Sequence, residues 1–367
     1  MKRPTIADIA SRAGVTKAAV SFALNGQPGV SAETRARILA IASELGFQPS
    51  SAARSLSDGR AAAFGLVIDR PARILGIEPV FMQLIAGLQA ELSRNQIALL
   101  FTIVEDQAAE IELYRTWWAQ RRVDGIFVVD LQLRDRRVTV LRDLRMPAIV
   151  FGSPRGSGGL TAVWPDDVAA TRTVIEYLAG LGHRRLARVG GPARYWHTRI
   201  RDDAFRTVAG QAGLDAAVVG SEHASEHGAF ATRNLLTSAE PPTAIVYDND
   251  VLAVAGLSAA KQIGVEVPNQ LSIVAWDDSA LCEIVHPSIT ALSRDIAASG
   301  AEAARRLLAL AAGSEVADFL ERPAVLTERG SAAGPARPAS CGLDHPIRRD
   351  PGAELTPARR KSPSWLA

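Results

Sequence analysis

Hydrophobic positions change their period once along the chain, near residue 60. Between residues 5 and 45 they recur at helical spacing. Ile6, Ile9, Ala10 and Ala13 fall at i, i+3, i+4 and i+7, on one face of a helix that opens on a Thr5–Asp8 capping box and stops at Gly14-Val15. Thr16 caps a second helix that turns Ala19, Val20 and Ala23 inward, with Val15 placed to staple onto Val20. Ser31 caps a third, carrying Ile38, Ile41, Ala42 and Leu45 on one face and stopping at Gly46-Phe47. Beyond residue 60, short apolar runs alternate with amphipathic stretches. The runs 64–68, 97–101, 125–129, 148–151, 186–189, 244–247 and 272–275 predict buried strands. The stretches 79–94, 108–121, 167–180, 200–212, 228–237, 250–263 and 296–311 predict helices.

Strands alternating with helices imply parallel sheets covered on both faces. A body of about 270 residues has room for two such lobes with a cleft between them. Two short helices joined by a glycine-containing turn and braced by a third make a helix-turn-helix, a pattern that a plain three-helix bundle also satisfies. Charge separates head from body. The chain's 41 Lys and Arg against 39 Asp and Glu leave only +2. Residues 1–60 nevertheless carry eight basic and four acidic groups, and residues 61–330 carry 27 and 32. A basic head on an acidic body points to an anionic partner at the N-terminus.

Other classes find no support. No apolar run nears the roughly 18 residues a membrane span needs, and Asp8 and Arg12 interrupt any signal-peptide pattern. Cys282 and Cys341 cannot build a disulfide framework. A Walker-type loop and a G-x-S-x-G elbow are both missing, and the Gly152–Gly159 stretch lacks the helix a phosphate loop needs. His223 and His227 stand four apart without an H-E-x-x-H order, so neither metal nor cofactor is expected. The expectation is a cytoplasmic, non-enzymatic protein.

The string from Thr5 to Asn25, TIADIASRAGVTKAAVSFALN, followed by VSAETR at 30–35, closely resembles the headpiece of the LacI/GalR family of bacterial transcription regulators. The match runs almost without gaps to Leu56. It implies that the helix after Thr16 enters a DNA major groove with Lys17, Ala18 and Phe22 at the base-reading positions. Lys17 can donate to guanine, whereas Ala18 and Phe22 offer apolar contact, for example to a thymine methyl. Many relatives carry Arg where Phe22 stands. Thr5, Thr16, Ser21 and Asn25 read as phosphate contacts, which position the head without choosing bases. In the segment 49–60, Ser50 can cap a short helix with Ala53 and Leu56 three apart, too short to persist alone in water. The resemblance implies that it folds on DNA, pairs with its dimer mate and wedges Leu56 into a minor-groove step, with Ala53 among the DNA-contacting positions.

The body resembles the same family's effector core, which has the periplasmic sugar-binding-protein fold. The strings are LGHRR at 181–185, Asn249-Asp250, Val267-Pro268, Trp276-Asp277-Asp278 and PSIT at 287–290. By resemblance, Arg201, Asn249 and Asp277 hold a small-molecule effector, with Phe81 and Asp130 at further contact positions. Two glycines common in relatives stand here as Ala170 and Ala204. Plainer roles are also open to these residues. His183 and Arg184 fit a surface turn, and a lone Arg such as Arg201 commonly makes a surface ion pair. Asp277 and Asp278 would point to opposite sides of a strand rather than share a substrate. Trp164, Trp196 and Trp276 could stack on a sugar or fill the core, and Trp117-Trp118 fits a buried helix face or dimer surface.

The expected organisation is an all-α helix-turn-helix headpiece at 1–48, a hinge at 49–60, an α/β two-lobed periplasmic-binding-protein-like core with parallel sheets at 61–331, and a proline-rich, disordered tail at 332–367. The expected function is a homodimeric regulator, a repressor rather than an activator. It would bind pseudo-palindromic operator DNA on the bacterial nucleoid under control of a carbohydrate effector, with no membrane partner. A solute-binding protein is the alternative from another class, and the head argues against it.

Overall fold

A computed structural model describes residues 4–47, 60–71, 76–222 and 225–335. The head has three helices, α1 (Ile6–Ala13), α2 (Lys17–Leu24) and α3 (Ala32–Glu44). Each begins as its cap residue dictates. Thr5 Oγ1 accepts from the Asp8 amide while the Asp8 carboxylate accepts from the Thr5 amide at 2.7 Å. Thr16 and Ser31 accept from the amides of Ala19 and Thr34. Gly14 and Gly46 end α1 and α3 at φ 66° and 64°, a conformation that a Cβ would strain. The inward faces meet in one core built on Ile9, Val20 and Ile38, with Val15 packed against it.

Among the described residues the body has two six-stranded sheets. In the first lobe the order is β11-β5-β4-β3-β1-β2, from β1 (Ala63–Asp69), β2 (Ala98–Val104), β3 (Gly125–Val128), β4 (Ala148–Phe151), β5 (Thr161–Trp164) and β11 (Phe319–Leu320). The second lobe repeats it as β12-β10-β9-β8-β6-β7, from β6 (Arg185–Gly190), β7 (Asp215–Gly220), β8 (Ala244–Tyr247), β9 (Ser272–Ala275), β10 (Thr290–Ser293) and β12 (Val325–Thr327). Every pairing is parallel except β10 with β12.

Helices cover both faces of each sheet, as uniformly apolar strands require. In the first lobe α4 (Pro79–Arg94) and α12 (Ile296–Ala311) share one core, and α5 (Gln107–Ala119) and α6 (Arg136–Asp143) the other. In the second, α7 (Asp167–Gly180) and α8 (Trp196–Gln211) lie opposite α9 (Ser225–Leu236) and α10 (Asp250–Gln262), and a short α11 (Ala280–Ile284) follows β9. Helices α4 and α12 cross so closely that a Cβ on Gly300 would stand 2.5 Å from the Leu84 carbonyl. Among the described residues the chain passes between the lobes three times, after β5, β10 and β11.

Some elements differ from the sequence reading. Helix α6 was not expected, because Val138 and Leu141 are its only buried apolar residues. The strands β5, β7, β10, β11 and β12 were likewise unexpected. All are short or lie near a sheet edge, where burial and hence apolar content fall. His183 is not a surface turn residue. It is 1% exposed, with Nδ1 against Thr243 Oγ1 at 2.9 Å and Nε2 against Ser272 Oγ at 3.0 Å, tying the entries to three strands together. Trp117 buries a helix face as expected, its indole packed against Gly65. No helix among the described residues is long and apolar enough to cross a membrane.

Candidate functional site

Two surfaces carry the candidate residues. On the head, α2 buries Val20 and Ala23 and turns its other face outward. Lys17 and Ala18 open the helix, and Phe22 stands one turn above Ala18. All three are exposed, Phe22 with 38% of its surface free and its ring beside Gly29. An exposed phenyl ring costs free energy in water, so its presence on this face suits an apolar contact. Thr5, Thr16 and Asn25 border the same helices as exposed groups, and Ser21 is half-buried. Ala53 and Leu56 lie outside the described residues.

The second surface is the cleft. The carboxyl ends of the first-lobe and second-lobe strands wall a cavity of about 160 Å³, the position in which α/β sheets hold ligands. Phe81, Asp130, Arg201, Asn249 and Asp277 all line it. Three of them follow strands β3, β8 and β9, and two sit on α4 and α8. Arg201 is 7% exposed and makes a buried rather than a surface ion pair. Its Nε donates to Asp167 at 2.9 Å and its Nη1 to Asp248 at 3.1 Å, over the Trp276 ring. Asn249 caps α10, its Oδ1 accepting from the Leu252 amide at 2.8 Å while Nδ2 donates to Glu78 at 3.2 Å. Asp277 accepts from Arg294 at 3.1 Å, and Asp278 pairs with Arg329, so the two adjacent carboxylates serve different partners.

Asp130 adopts φ 53°, uncommon for a residue with a side chain. Arg70 grips it with two bonds, 2.6 and 2.8 Å, and also pairs with Glu78 while lying over the Phe81 ring. Arg137 donates to the Asp130 carbonyl at 3.0 Å from a buried network with Glu110 and Asp135.

The cavity is acidic. Among the described residues, seven carboxylates line it (Glu78, Asp130, Asp167, Asp248, Asp250, Asp277 and Glu321) against the guanidiniums of Arg70, Arg201 and Arg294. Burial pushes Glu78 up to about 7 and Asp250 up to about 6, the latter with help from the Asp277 charge. Such a lining suits a neutral ligand with many donors and acceptors better than an anion.

Trp164, Trp196 and Trp276 do not line the cavity. Trp276 is 2% exposed and packs in the second-lobe core, and the aromatic groups at the wall are Phe81, Phe151 and His197. Ala170 and Ala204 are both buried, and Ala170 belongs to that same core. Arg70, Asp248 and Arg294 were missed from sequence. Each is a charged residue at or just past the end of an apolar strand, a position that Asp130 and Asp277 share. Among the described residues no group of three or more His, Cys, Asp and Glu is placed to hold a metal ion.

Comparison with known proteins adds the relationships. A model described as bacterial regulatory proteins, lacI family, matches residues 5–50, and one of periplasmic binding protein-like domains matches residues 175–332. The HTH-type transcriptional regulator AglR of Rhizobium meliloti (strain 1021) is 32% identical over 82% of this chain and 86% of its own. The HTH-type transcriptional regulator MalR of Streptomyces coelicolor (strain ATCC BAA-471 / A3(2) / M145) is 30% identical over 90% of this chain and 97% of its own. Among solved structures, a transcriptional regulator CelR–cellobiose complex superposes with a TM-score of 0.70 at 26% identity, over 90% of this chain and all of its own.

Proposed function

The chain belongs to the lacI family of bacterial regulatory proteins, and we propose that it is a homodimeric repressor whose hold on a pseudo-palindromic operator is controlled by a carbohydrate in the cleft. It is a DNA-binding regulator, not an enzyme. Lys17, Ala18 and Phe22 read bases, and Thr5, Thr16, Ser21 and Asn25 hold phosphates. Ala53 and Leu56 contact the minor groove between the two heads. Residues 1–48 are the head, 49–60 the hinge, 61–331 the effector core and 332–367 the tail, though Ala333 still bonds to Ser272 of the core. The protein acts in the cytoplasm, on the nucleoid.

One observation carries the reading of the cleft. Arg201, Asn249 and Asp277 from one lobe line the same cavity as Phe81 and Asp130 from the other, so a ligand there touches both lobes. A molecule that binds one relative orientation of the lobes more tightly shifts the population toward it, and through two hinges changes the spacing of two heads. The sugar class is supported by the acidic, hydroxyl-matching lining and by the cellobiose held by the similar CelR. A second copy would cover exposed apolar groups such as Phe101 and Ile103 on the edge strand β2, which water otherwise penalises.

Selection from a pool of random duplexes tests the DNA half of the reading. It should return two half-sites related by a two-fold axis, bound with an affinity that falls steeply as salt rises. Recovery of unrelated sequences with no symmetry would refute it.

A further inference from the structure

Beyond the cavity wall, the lobes meet in a short strap. The loop after β6 runs antiparallel to the loop after β3, with Gln132 bridging Tyr195. The Trp196 amide donates to the Leu131 carbonyl and the Leu133 amide to the Arg194 carbonyl, both at 2.9 Å. These residues lie outside the strands of either sheet, so the two bonds join only the lobes. Side chains reinforce them. Tyr195 is 1% exposed, with the Arg70 guanidinium 5.7 Å from its ring centre and that of Arg194 at 4.6 Å.

Trp196 supplies the closest fit. Its indole lies on Gly156, in the turn after β4 of the first lobe. A Cβ at Gly156 would run into the indole Nε1 and come 2.8 Å from Leu131 Cδ2. Gly156 does not have a positive φ, so the approach of the ring, not the backbone, is what leaves no room for a side chain. Neither Gly156 nor Trp196 lines the cavity.

The strap stands away from the crossings between lobes. Those leave from β5, β10 and β11, whereas the strap follows β3 and β6, two and three strands away from β5 and β10. At about 4.8 Å per strand this is roughly 10–14 Å, enough for the crossings to act as a hinge and the strap as a catch. We propose that Gly156 and Trp196 are positioning residues that latch the 191–196 loop onto the first lobe, keep the cleft shut and so set how fast a bound molecule leaves. Only the identity of that molecule rests on the functional reading above.

The test uses the full chain carrying Gly156→Ala, with hydrogen exchange followed in peptides covering 131–133 and 192–196. The amides of Leu133 and Trp196 should exchange about tenfold faster or more, while the sheet strands exchange as in the wild type. Trp196→Ala opens the same contact from the other side and decides the matter if Gly156→Ala does not fold. With cellobiose or maltose as probes, both variants should release sugar faster than the wild type. Wild-type exchange at both amides in a folded variant, or a uniform rise across the body, would overturn the latch. A wild type that answers neither sugar would count against the ligand class, while amide exchange would still decide the latch.

Discussion

Asn249 Nδ2 donates to Glu78 Oε1 at 3.2 Å, joining side chains 171 residues apart and in different lobes. Asn249 is held at its other end as the cap of α10, and Glu78 shares the Arg70 guanidinium with Asp130. Burial, with the Asp130 charge adding to it and Arg70 opposing it, pushes the Glu78 carboxyl up to about 7, against an ordinary 4.5.

That shift makes the body's stability depend on pH in a stated direction. A carboxyl whose pKa is raised by folding adds stability below its unfolded value, and this is lost as pH rises through the folded value. The loss runs from about pH 4.5 to 7 and amounts to at most roughly 3 kcal/mol. Asp250 and Glu321 act in the same direction, whereas burial lowers His183 and His197 and gives the opposite slope. The difference between wild type and Glu78→Gln isolates the group. Thermal unfolding from pH 5 to 8 should show the wild type losing more stability than the variant, which keeps an oxygen for Asn249. Parallel curves would assign the titration elsewhere.

Asp277→Ala should leave operator affinity within about twofold of wild type and abolish the response to effector. The carboxylate faces the cavity and binds Arg294, which retains Glu321 at 3.7 Å when Asp277 is gone. A fluorescence titration of labelled operator with and without sugar measures both quantities. An undiminished response in the variant would remove Asp277 from the site.

On the head, Lys17→Ala should change the preferred base, with a cost of about 1–3 kcal/mol confined to one operator position. Thr5→Ala should weaken all sites alike and also loosen α1 by about 1 kcal/mol, because Thr5 forms the capping box with Asp8. Binding to a set of single-base operator variants separates the two. Equal loss at every variant for Lys17→Ala would assign that side chain to the backbone.

Leu56→Ala should spare thermal stability and lower operator affinity. An apolar side chain in a Ser- and Ala-rich stretch has no sequence partner nearby, and a minor-groove step gives it one. Hydrogen exchange of residues 50–57 should slow only when DNA is added. Slow exchange without DNA would contradict the wedge.

The sequence made the helices and central strands legible because burial on two faces forces long apolar periods, as in α4, α7 and α12, whose bounds agree residue for residue. Edge strands such as β7, half-exposed and alanine-rich, carry no such period. Arg201, Asn249 and Asp277 were found through strings around them, not through their charge. The partners Glu78 and Asp248 had no comparable string. What places them is the convergence of strand ends from two lobes, a relation between residues far apart in sequence. For the tryptophans the sequence favoured the core without excluding the ligand wall, since a large amphipathic ring fits either until packing is known.

The central claim is that a sugar in the cleft controls the hold on DNA. It is tested most directly by titrating the operator-bound protein with a panel of mono- and disaccharides and following release of labelled operator by anisotropy. The account predicts that one sugar class releases the operator in a saturable way and that its phosphorylated form does so far less well, because the cavity is acidic. Operator binding that no sugar alters, or that only an anionic metabolite alters, would contradict it.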